Sequence, residues 1–492
     1  MPSTIARMGT PYASQIVNLR GGLNNAVNDE MVGSNELSEV VNFVPDTQDS
    51  GILIKRLGIT QKSSQQSESI TSVFDGYAGD YFTTKTTIRN LAGTAVDSSL
   101  TSKTDPDWAR FDDDSLGKID IFVNGAEERR SSDGTSWANV SNMPNAKFIV
   151  SYNRFLFVAG HDASKVRWSD PEDAETWDTD NEFVFDEDVT GMAVFRGGVY
   201  VFTEFGFHVI QGYGEKTMQI VGGSQEAGCT SHRSIVSSPY GLFWWSANGM
   251  MWSPDGVRVV NISRRKIPGT LNLLDSTQNS LVHGIYNPLI ESVSMWVFNT
   301  DSTTQDRRID YFPGEVGEDQ MGSFWVHTGA GIQMGASGII LESGKPVWYV
   351  GSAGTSGYLY EQKGDTDDGT PIEGIMETRR ETAELGMHTL KRTKQLTPQF
   401  ILTGTTTATY GVYIDNDATL RKTWDITVNP IEGFVLDVDA LGAGRLGAGS
   451  EGFDKSLYYN VRWRKIKHRI SDTSAFRTRV RGIINEGTVL SA

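Results

Sequence analysis

Residues 191–212, GMAVFRGGVYVFTEFGFHVIQG, decide the fold class. MAVF and VYVF are short apolar runs separated by Arg196-Gly197-Gly198, where glycine tolerates the positive φ angles of a tight strand connection. The signature recurs on either side: Tyr152-Asn153 separates FIVS from RFLFVAG, and Pro254-Asp255-Gly256 separates MMWS from VRVV. Between residues 66 and 362, runs such as ITSVFDGY (70–77), KFIVSYNRFLFVAG, YGLFWWS and SVSMWVFN are each bounded by Gly, Asp, Asn or Ser. Period-two patterning with this punctuation reads as strands and hairpins.

Grouping the strands gives units near 147–186, 190–222, 233–262 and 281–330, with looser ones before and after. A spacing of roughly 30–50 residues suits four-stranded propeller blades and predicts about six or seven of them. Helical signals are few. Ser34-Asn35-Glu36-Leu37-Ser38-Glu39-Val40-Val41 has a capping residue and early acids, and Pro268–Leu274 reads as one or two turns. At GDTDDGTPIEG (364–374) the chain turns polar, and PQFILTG, TATYGVYIDN, WDITVN, GFVLDVDA, YYNVRWRKIKHRIS and AFRTRVRGIINEG then supply strands for a β-sandwich of about 100 residues. The expected organisation is all-β: an N-terminal segment 1–62 joining the propeller, a β-propeller over 63–365, a linker and domain entry at 366–394, and a β-sandwich-like C-terminal domain over 395–492.

The balance of 44 Lys+Arg against 61 Asp+Glu leaves a formal charge of −17, which disfavours nonspecific attraction to nucleic acid or an anionic membrane. An acidic wall can still line a DNA passage, because it repels phosphate and keeps a moving duplex from sticking. The single cysteine, Cys229, excludes an intrachain disulfide and a multi-cysteine metal site, and reads as a buried small hydrophobe. MPSTIARMGTPYAS at the N-terminus lacks the apolar stretch of about 7–15 residues that a secretory signal needs. No run approaches the ~20 apolar residues of a membrane span. Synthesis in a cytoplasm and no membrane span are expected.

Candidate chemistry is sparse. Gly442-Ala443-Gly444-Arg445-Leu446-Gly447 fits G-x-G-x-x-G, but another strand and not a helix follows, so it reads as a loop. Asp365-Thr366-Asp367-Asp368-Gly369 opens like a calcium loop, yet its twelfth position is Met376 and not a bidentate Glu, so it reads as a solvated linker. Ser131-Ser132-Asp133-Gly134-Thr135-Ser136-Trp137 is similar to the Asp-box turn of sialidases, one residue short, and favours a propeller hairpin without arguing for catalysis. Asp105, Asp107, Asp112, Asp113 and Asp114 form an acidic run; glycoside hydrolysis needs paired carboxylates, but a charge run is usually a solvated face. The seven histidines, His161, His208, His232, His283, His327, His388 and His468, stand singly, outside any H-x-x-x-H spacing, and no G-x-S-x-G elbow occurs. No catalytic, cofactor-binding or metal residue is therefore expected.

One stretch is strongly basic: Arg462, Arg464, Lys465, Lys467 and Arg469, followed by Arg477, Arg479 and Arg481. Alternation with Trp463, Ile466 and Ile470 puts the charges on one face, and two such strands side by side would make a basic patch. Nucleic-acid binding is one reading. A dock for the acidic face of a neighbouring subunit is preferred, because aromatic interleaving is slight and the chain is acidic.

Four stretches together resemble the β-propeller tail hub or nozzle proteins of short-tailed phages. They are Leu19-Arg20-Gly21-Gly22-Leu23-Asn24 with Asn42-Phe43 and GILIKRLGIT (51–60), where a short helix precedes a glycine-bounded R-x-G strand; RFLFVAGHDASKVRWSDPEDAETW (154–177); VTGMAVFRGGVYVFTEFGFHVIQG, continuing through Gly228-Cys229 to Ser246-Ala247-Asn248-Gly249-Met250; and KIKHRISDTSAFRTRVRGIINEG, a closing strand pair. The resemblance implies a non-enzymatic structural virion protein of the tail, made in the host cytoplasm. It implies a homo-oligomeric ring, typically a hexamer, around the DNA exit channel, linking portal and adaptor to tail fibre, spike or needle proteins. DNA would pass without sequence-specific binding, and no cofactor is implied. The alternatives are a tail-associated carbohydrate-binding or glycan-degrading propeller and a cellular propeller scaffold for peptides or proteins.

Overall fold

The computed structural model describes residues 10–98, 100–316, 321–355, 357–383, 388–401, 406–428 and 452–491. Among the described residues the structure is nearly all-β, 53% strand against 5% helix, and the chain forms two units. One comprises residues 59–311 and 328–363; the other comprises 1–58, 312–327 and 364–492.

The first unit is a seven-bladed β-propeller. Blades one to five are antiparallel four-stranded meanders over Ile70–Ser98, Asp107–Asn139, Phe148–Val184, Val189–Ser224 and Val236–Asn261. The sixth begins with His283–Asn287 and Ser292–Val297 and continues into the strand that starts at Arg307. The seventh has Met334–Glu342, Lys345–Ser352 and Leu359–Gln362, and its next strand is Ile59–Gln61, from the other end of the unit's sequence. That strand pairs Tyr360 with Gln61, Glu361 with Thr60 and Gln362 with Ile59.

The hairpin turns fall where the sequence places them, with positive φ at Asn153, Arg196, Gly197 and Gly256. Each blade is apolar on both faces, so it must be covered on both sides, and a ring is the arrangement that covers all seven. Tyr81, Trp108 and Phe122 pack between blades one and two; Phe111, Ile121 and Leu156 between two and three; Phe157, Trp168 and Met192 between three and four; Phe202, Phe207 and Trp244 between four and five. Phe243 and Tyr311 lie 5.7 Å apart between five and six, Trp296 and Trp348 meet between six and seven, and Ile70 and Phe82 meet Ala336 and Tyr349 to close the circle. Cys229 is buried in one of these layers, and burial pushes its thiol up to about 12.

Blade one carries a titratable strain. Asp75 and Asp80 face each other across its first hairpin, and burial followed by repulsion from Asp75 raises the Asp80 carboxyl to about 6. The folded state holds this proton more tightly than the unfolded chain. Its contribution is complete below the unfolded value of about 4 and is lost as pH rises through about 6. Asp80→Asn is therefore expected to raise the melting temperature at pH 7.5 and to change nothing at pH 3, which thermal melts at the two pH values check.

The second unit is a sandwich-like pair of sheets. One contains Phe43–Pro45, Leu53–Lys55, Arg479–Ser491, Leu390–Ile401 and Gly452–Asp454, with Pro11–Val17 and Leu457–Trp463 beside this path. The other orders Gly22–Leu23, Glu36–Val41, Gly374–Thr378, Ile466–Asp472, Thr406–Ile414 and Lys422–Val428. Residues 1–58 thus group with the C-terminal residues, whereas the sequence reading joined segment 1–62 to the propeller.

The helix expected over Ser34–Val41 is a strand, Glu36–Val41, paired in parallel with Gly22–Leu23 and antiparallel with Gly374–Thr378. Leu37 and Val40 are buried, and Glu36, which looked like a first-turn acid, instead accepts from Asn24 Nδ2 (2.6 Å) and the Gly33 N–H (3.0 Å). Sheet pairing has overridden a local cap signal. The turns expected near Pro268 are present as Ser263–Lys266 and Pro268–Leu271. Residues 442–447 lie outside the described residues.

Candidate functional site

The basic run does not form the patch expected of it. Ile466–Asp472 and Arg479–Ser491 lie in different sheets, so they are not neighbouring strands. Most of their cations meet carboxylates of the same unit. Lys467 Nζ lies 2.8 Å from Asp29 Oδ2 and 2.7 Å from Glu377 Oε2; Arg469 Nη1 lies 2.6 Å from Glu377 Oε1. Lys465 pairs with Glu30, and Arg479 holds Asp46 through Nε at 2.7 Å and Asp49 through Nη2 at 2.7 Å. Arg477 donates from Nε to the Lys55 carbonyl at 2.7 Å.

Burial alone would raise Glu377, but Lys467 and Arg469 outweigh it and hold the carboxyl below its ordinary value. The acidic face anticipated from a neighbouring subunit is, for these residues, supplied by the chain itself. Arg462, Arg464 and Arg481 remain exposed. Arg462 faces Arg392, while Arg481 lies by Phe400, eight residues further along the same partner strand, or roughly 25 Å away. Only Arg462 and Arg464 form a local exposed pair.

Two motifs that seemed unrelated in sequence turn out to be partners. Arg56 donates from Nη1 to Asp367 Oδ1 (2.8 Å) and from Nη2 to Asp367 Oδ2 (2.6 Å), with Nε on Asn42 Oδ1 (3.0 Å). Arg56 is 1% exposed and Asp367 6%. The calcium-like run at 365–369 therefore contributes its central carboxylate to a guanidinium fork. Gly58 completes the joint: a Cβ there would sit 2.0 Å from the Thr366 carbonyl oxygen, so no side chain fits beside the loop. Next to it, Lys55 and Asp472 form a fully buried ion pair at 3.0 Å, and Lys55 also donates to the carbonyls of Ile372 and Ser474. Burial lowers the Lys55 ammonium pKa, opposed by Asp472.

The acidic run separates into distinct roles. Asp112 and Asp114 are exposed. Asp113 is buried, takes the N–H groups of Ser115 and Leu116 on Oδ1, and takes the Ala174 N–H from the next blade at 2.9 Å on Oδ2. Burial works to raise its carboxyl, yet these bonds prevail and hold it below the usual range. An amide has one accepting oxygen, so Asp113→Asn leaves a buried N–H unpaired and is expected to cost about 1–3 kcal/mol. Asp112→Asn and Asp114→Asn should change stability by less than about 0.5 kcal/mol; urea titrations of the three variants compare them.

Asp107 and His232 form the one carboxylate–histidine pair in the propeller unit among the described residues, with Oδ2 and Nε2 2.8 Å apart. Asp107 Oδ2 also takes the Ile149 N–H at 2.7 Å, and His232 Nδ1 takes the Met192 N–H at 3.2 Å. A backbone N–H only donates, so Nδ1 is unprotonated and Nε2–H faces the carboxylate. Neither ring nitrogen is left for base catalysis or a metal.

The next residue, Arg233, donates to the Thr104 carbonyl just before blade two and to the Gly335 carbonyl of blade seven. Blades two, five and seven are not adjacent, so its side chain crosses the central channel. Burial brings its pKa down to about 10, opposed by Asp105 and Asp107. In the Asp-box-like turn, Asp133 Oδ1 accepts the N–H groups of Thr135 and Ser136 and Ser131 Oγ accepts that of Gly134, a local turn between the third and fourth strands of blade two.

Sequence reading missed the partners of Arg56, Lys55 and Arg479. The lone signal available was the basic Lys55-Arg56 pair inside an apolar strand pattern, since buried cations require buried anions.

No protein family matches the sequence, and no curated protein does. Among solved structures, the chain is similar to BBS1N in its complex with ARL6DN, at 8% identity and a TM-score of 0.41, covering 63% of this chain and 99% of that one. It is similar to the WD40 β-propeller domain of Doa1 at 9% identity and a TM-score of 0.40, covering 62% and 98%. The Neurospora crassa Pan2 WD40 domain matches at 8% identity and a TM-score of 0.35, covering 63% and 96%. No helix among the described residues is long and apolar enough to cross a membrane.

Proposed function

We propose that the chain is a structural, non-enzymatic protein of a phage tail, a hub or nozzle that assembles as a ring of copies, six by family resemblance, around the DNA exit channel. One observation carries this reading beyond the resemblance itself: the residues that bear the resemblance are used to hold the scaffold. Arg56 and Gly58 build the joint with Asp367 and Thr366. Asn42 links Arg56 to the Glu373 carbonyl at 2.7 Å. In the SDPEDAETW stretch, the Asp170 N–H meets the Thr176 carbonyl, Trp177 Nε1 meets the Ala174 carbonyl, and Ala174 is latched to Asp113 of the preceding blade.

In this reading DNA passes through the middle of the ring and not along the propeller's own axis, which Arg233 crosses. The surface left for a neighbouring acidic subunit is the exposed pair Arg462 and Arg464. Reversing both to Glu should leave the melting temperature of the isolated chain unchanged and reduce its incorporation into tails, and higher salt should weaken attachment of the unaltered chain and narrow its difference from the variant. Normal incorporation with loss of DNA retention alone would favour the nucleic-acid reading. Turnover of bacterial polysaccharide by the purified chain would overturn the non-enzymatic one.

A further inference from the structure

The sandwich-like unit contains a cavity of about 510 Å³ that the role proposed above does not use. One wall is the strand Pro11–Val17, of which the five consecutive residues Ala13 to Val17 line the space. Side chains alternate along a strand, so a cavity over one face would touch every second residue. Contact with five in a row means that the strand's edge, with its N–H and C=O groups, faces the cavity. On its other side this strand pairs with Gly482–Thr488, and no described strand pairs with the edge that faces the cavity. An open edge of this kind is a template for another strand.

The opposite wall, residues 378–383, carries Glu381, which is 8% exposed. Its carboxylate terminates a buried polar chain. The Tyr410 hydroxyl donates to His468 Nδ1 at 2.6 Å, which leaves the proton on Nε2, and Nε2 donates to Glu381 Oε1 at 3.2 Å. Ser14 Oγ donates to the same oxygen at 3.4 Å. Burial, then the neighbouring Glu381, raises the Tyr410 hydroxyl far above its ordinary value and keeps it a donor. Every donor in this chain converges on Oε1. Among the described residues none donates to Oε2, and although Arg379 and Arg380 line the same wall, their guanidiniums are engaged by the carbonyls of Val32 and of Asp415 and Asp417, so Glu381 is left to face the cavity.

We infer that this groove takes an extended segment of a partner polypeptide, added as a further strand on the open edge of Pro11–Val17, with a lysine or arginine of that segment seated on Glu381. Main-chain hydrogen bonds to the edge would give affinity, and the carboxylate in the opposite wall would select a basic side chain. The cavity is within the range of ordinary ligand sites, about 300–1,000 Å³. This dock does not depend on the tail reading.

Panning a random heptapeptide library on the full chain tests it. The expected enrichment is for proline-free sequences with a central Lys or Arg. The best synthetic peptide should slow hydrogen exchange at the amides of Ala13 to Val17 and lose at least tenfold in affinity when its basic residue is changed to norleucine. Glu381→Gln, checked for an unchanged melt, should bind the original peptide equally weakly. If that variant melts early, the norleucine comparison and the exchange measurement on the unaltered chain decide alone. Enrichment of no sequence, or of peptides that bind without a basic residue and leave those amides unprotected, would overturn the inference.

Discussion

Arg56→Ala is expected to destabilise the sandwich-like unit by about 3–5 kcal/mol, because it strands the buried Asp367 carboxylate without its guanidinium. Asp367 receives both Nη1 and Nη2 within 2.8 Å, and Asn42 would lose its bond to Nε at the same time. Arg56→Lys keeps the charge but not the planar fork, so it should fall between alanine and the unaltered protein. Urea unfolding followed by tryptophan fluorescence reads the effect through Trp463, which is fully buried in the same unit. A loss below about 1 kcal/mol for the alanine variant would be the value of a surface ion pair and would contradict the buried-joint account.

Three residues later, Ile59→Ala is expected to cost about 2–5 kcal/mol, this time in the propeller. Ile59 packs with Trp296, Ile332, Met334, Trp348 and Val350, and it sits on the strand that completes blade seven. The loss should therefore be local as well as global. Hydrogen exchange at Leu359–Gln362 is expected to speed up more than in blade three, whose four strands are contiguous in sequence. Equal acceleration in both blades, or none in either, would mean that Ile59–Gln61 does not hold the ring closed.

The two variants mark where the sequence was legible and where it was not. Blades built from adjacent strands announced themselves through turns: Asn153, Arg196-Gly197 and Asp255-Gly256 occupy the hairpin connections the pattern implied. Segment 90–140, which lies outside the four stretches that carry the phage resemblance, contains a regular blade at Asp107–Asn139.

Long-range pairing was not legible. A strand's period identifies its faces but not its partner, so Ile59–Gln61 gave no sign of pairing with Leu359–Gln362, nor Glu36–Val41 with Gly374–Thr378. The same limit misled the charge reading. A run of cations looks solvated until Asp29, Glu377, Asp46 and Asp49 are brought beside it from distant stretches. Glu381, His468 and Tyr410 gave no motif at all, because each stands alone in sequence.

Quantitative mass spectrometry of purified virions from a phage encoding this chain tests the central claim most directly. The account predicts that the protein is a constituent of the particle, at a small fixed copy number relative to the portal protein that matches one ring, six copies by the family resemblance. Its absence from purified virions, in a lysate where it is abundant, would contradict the account.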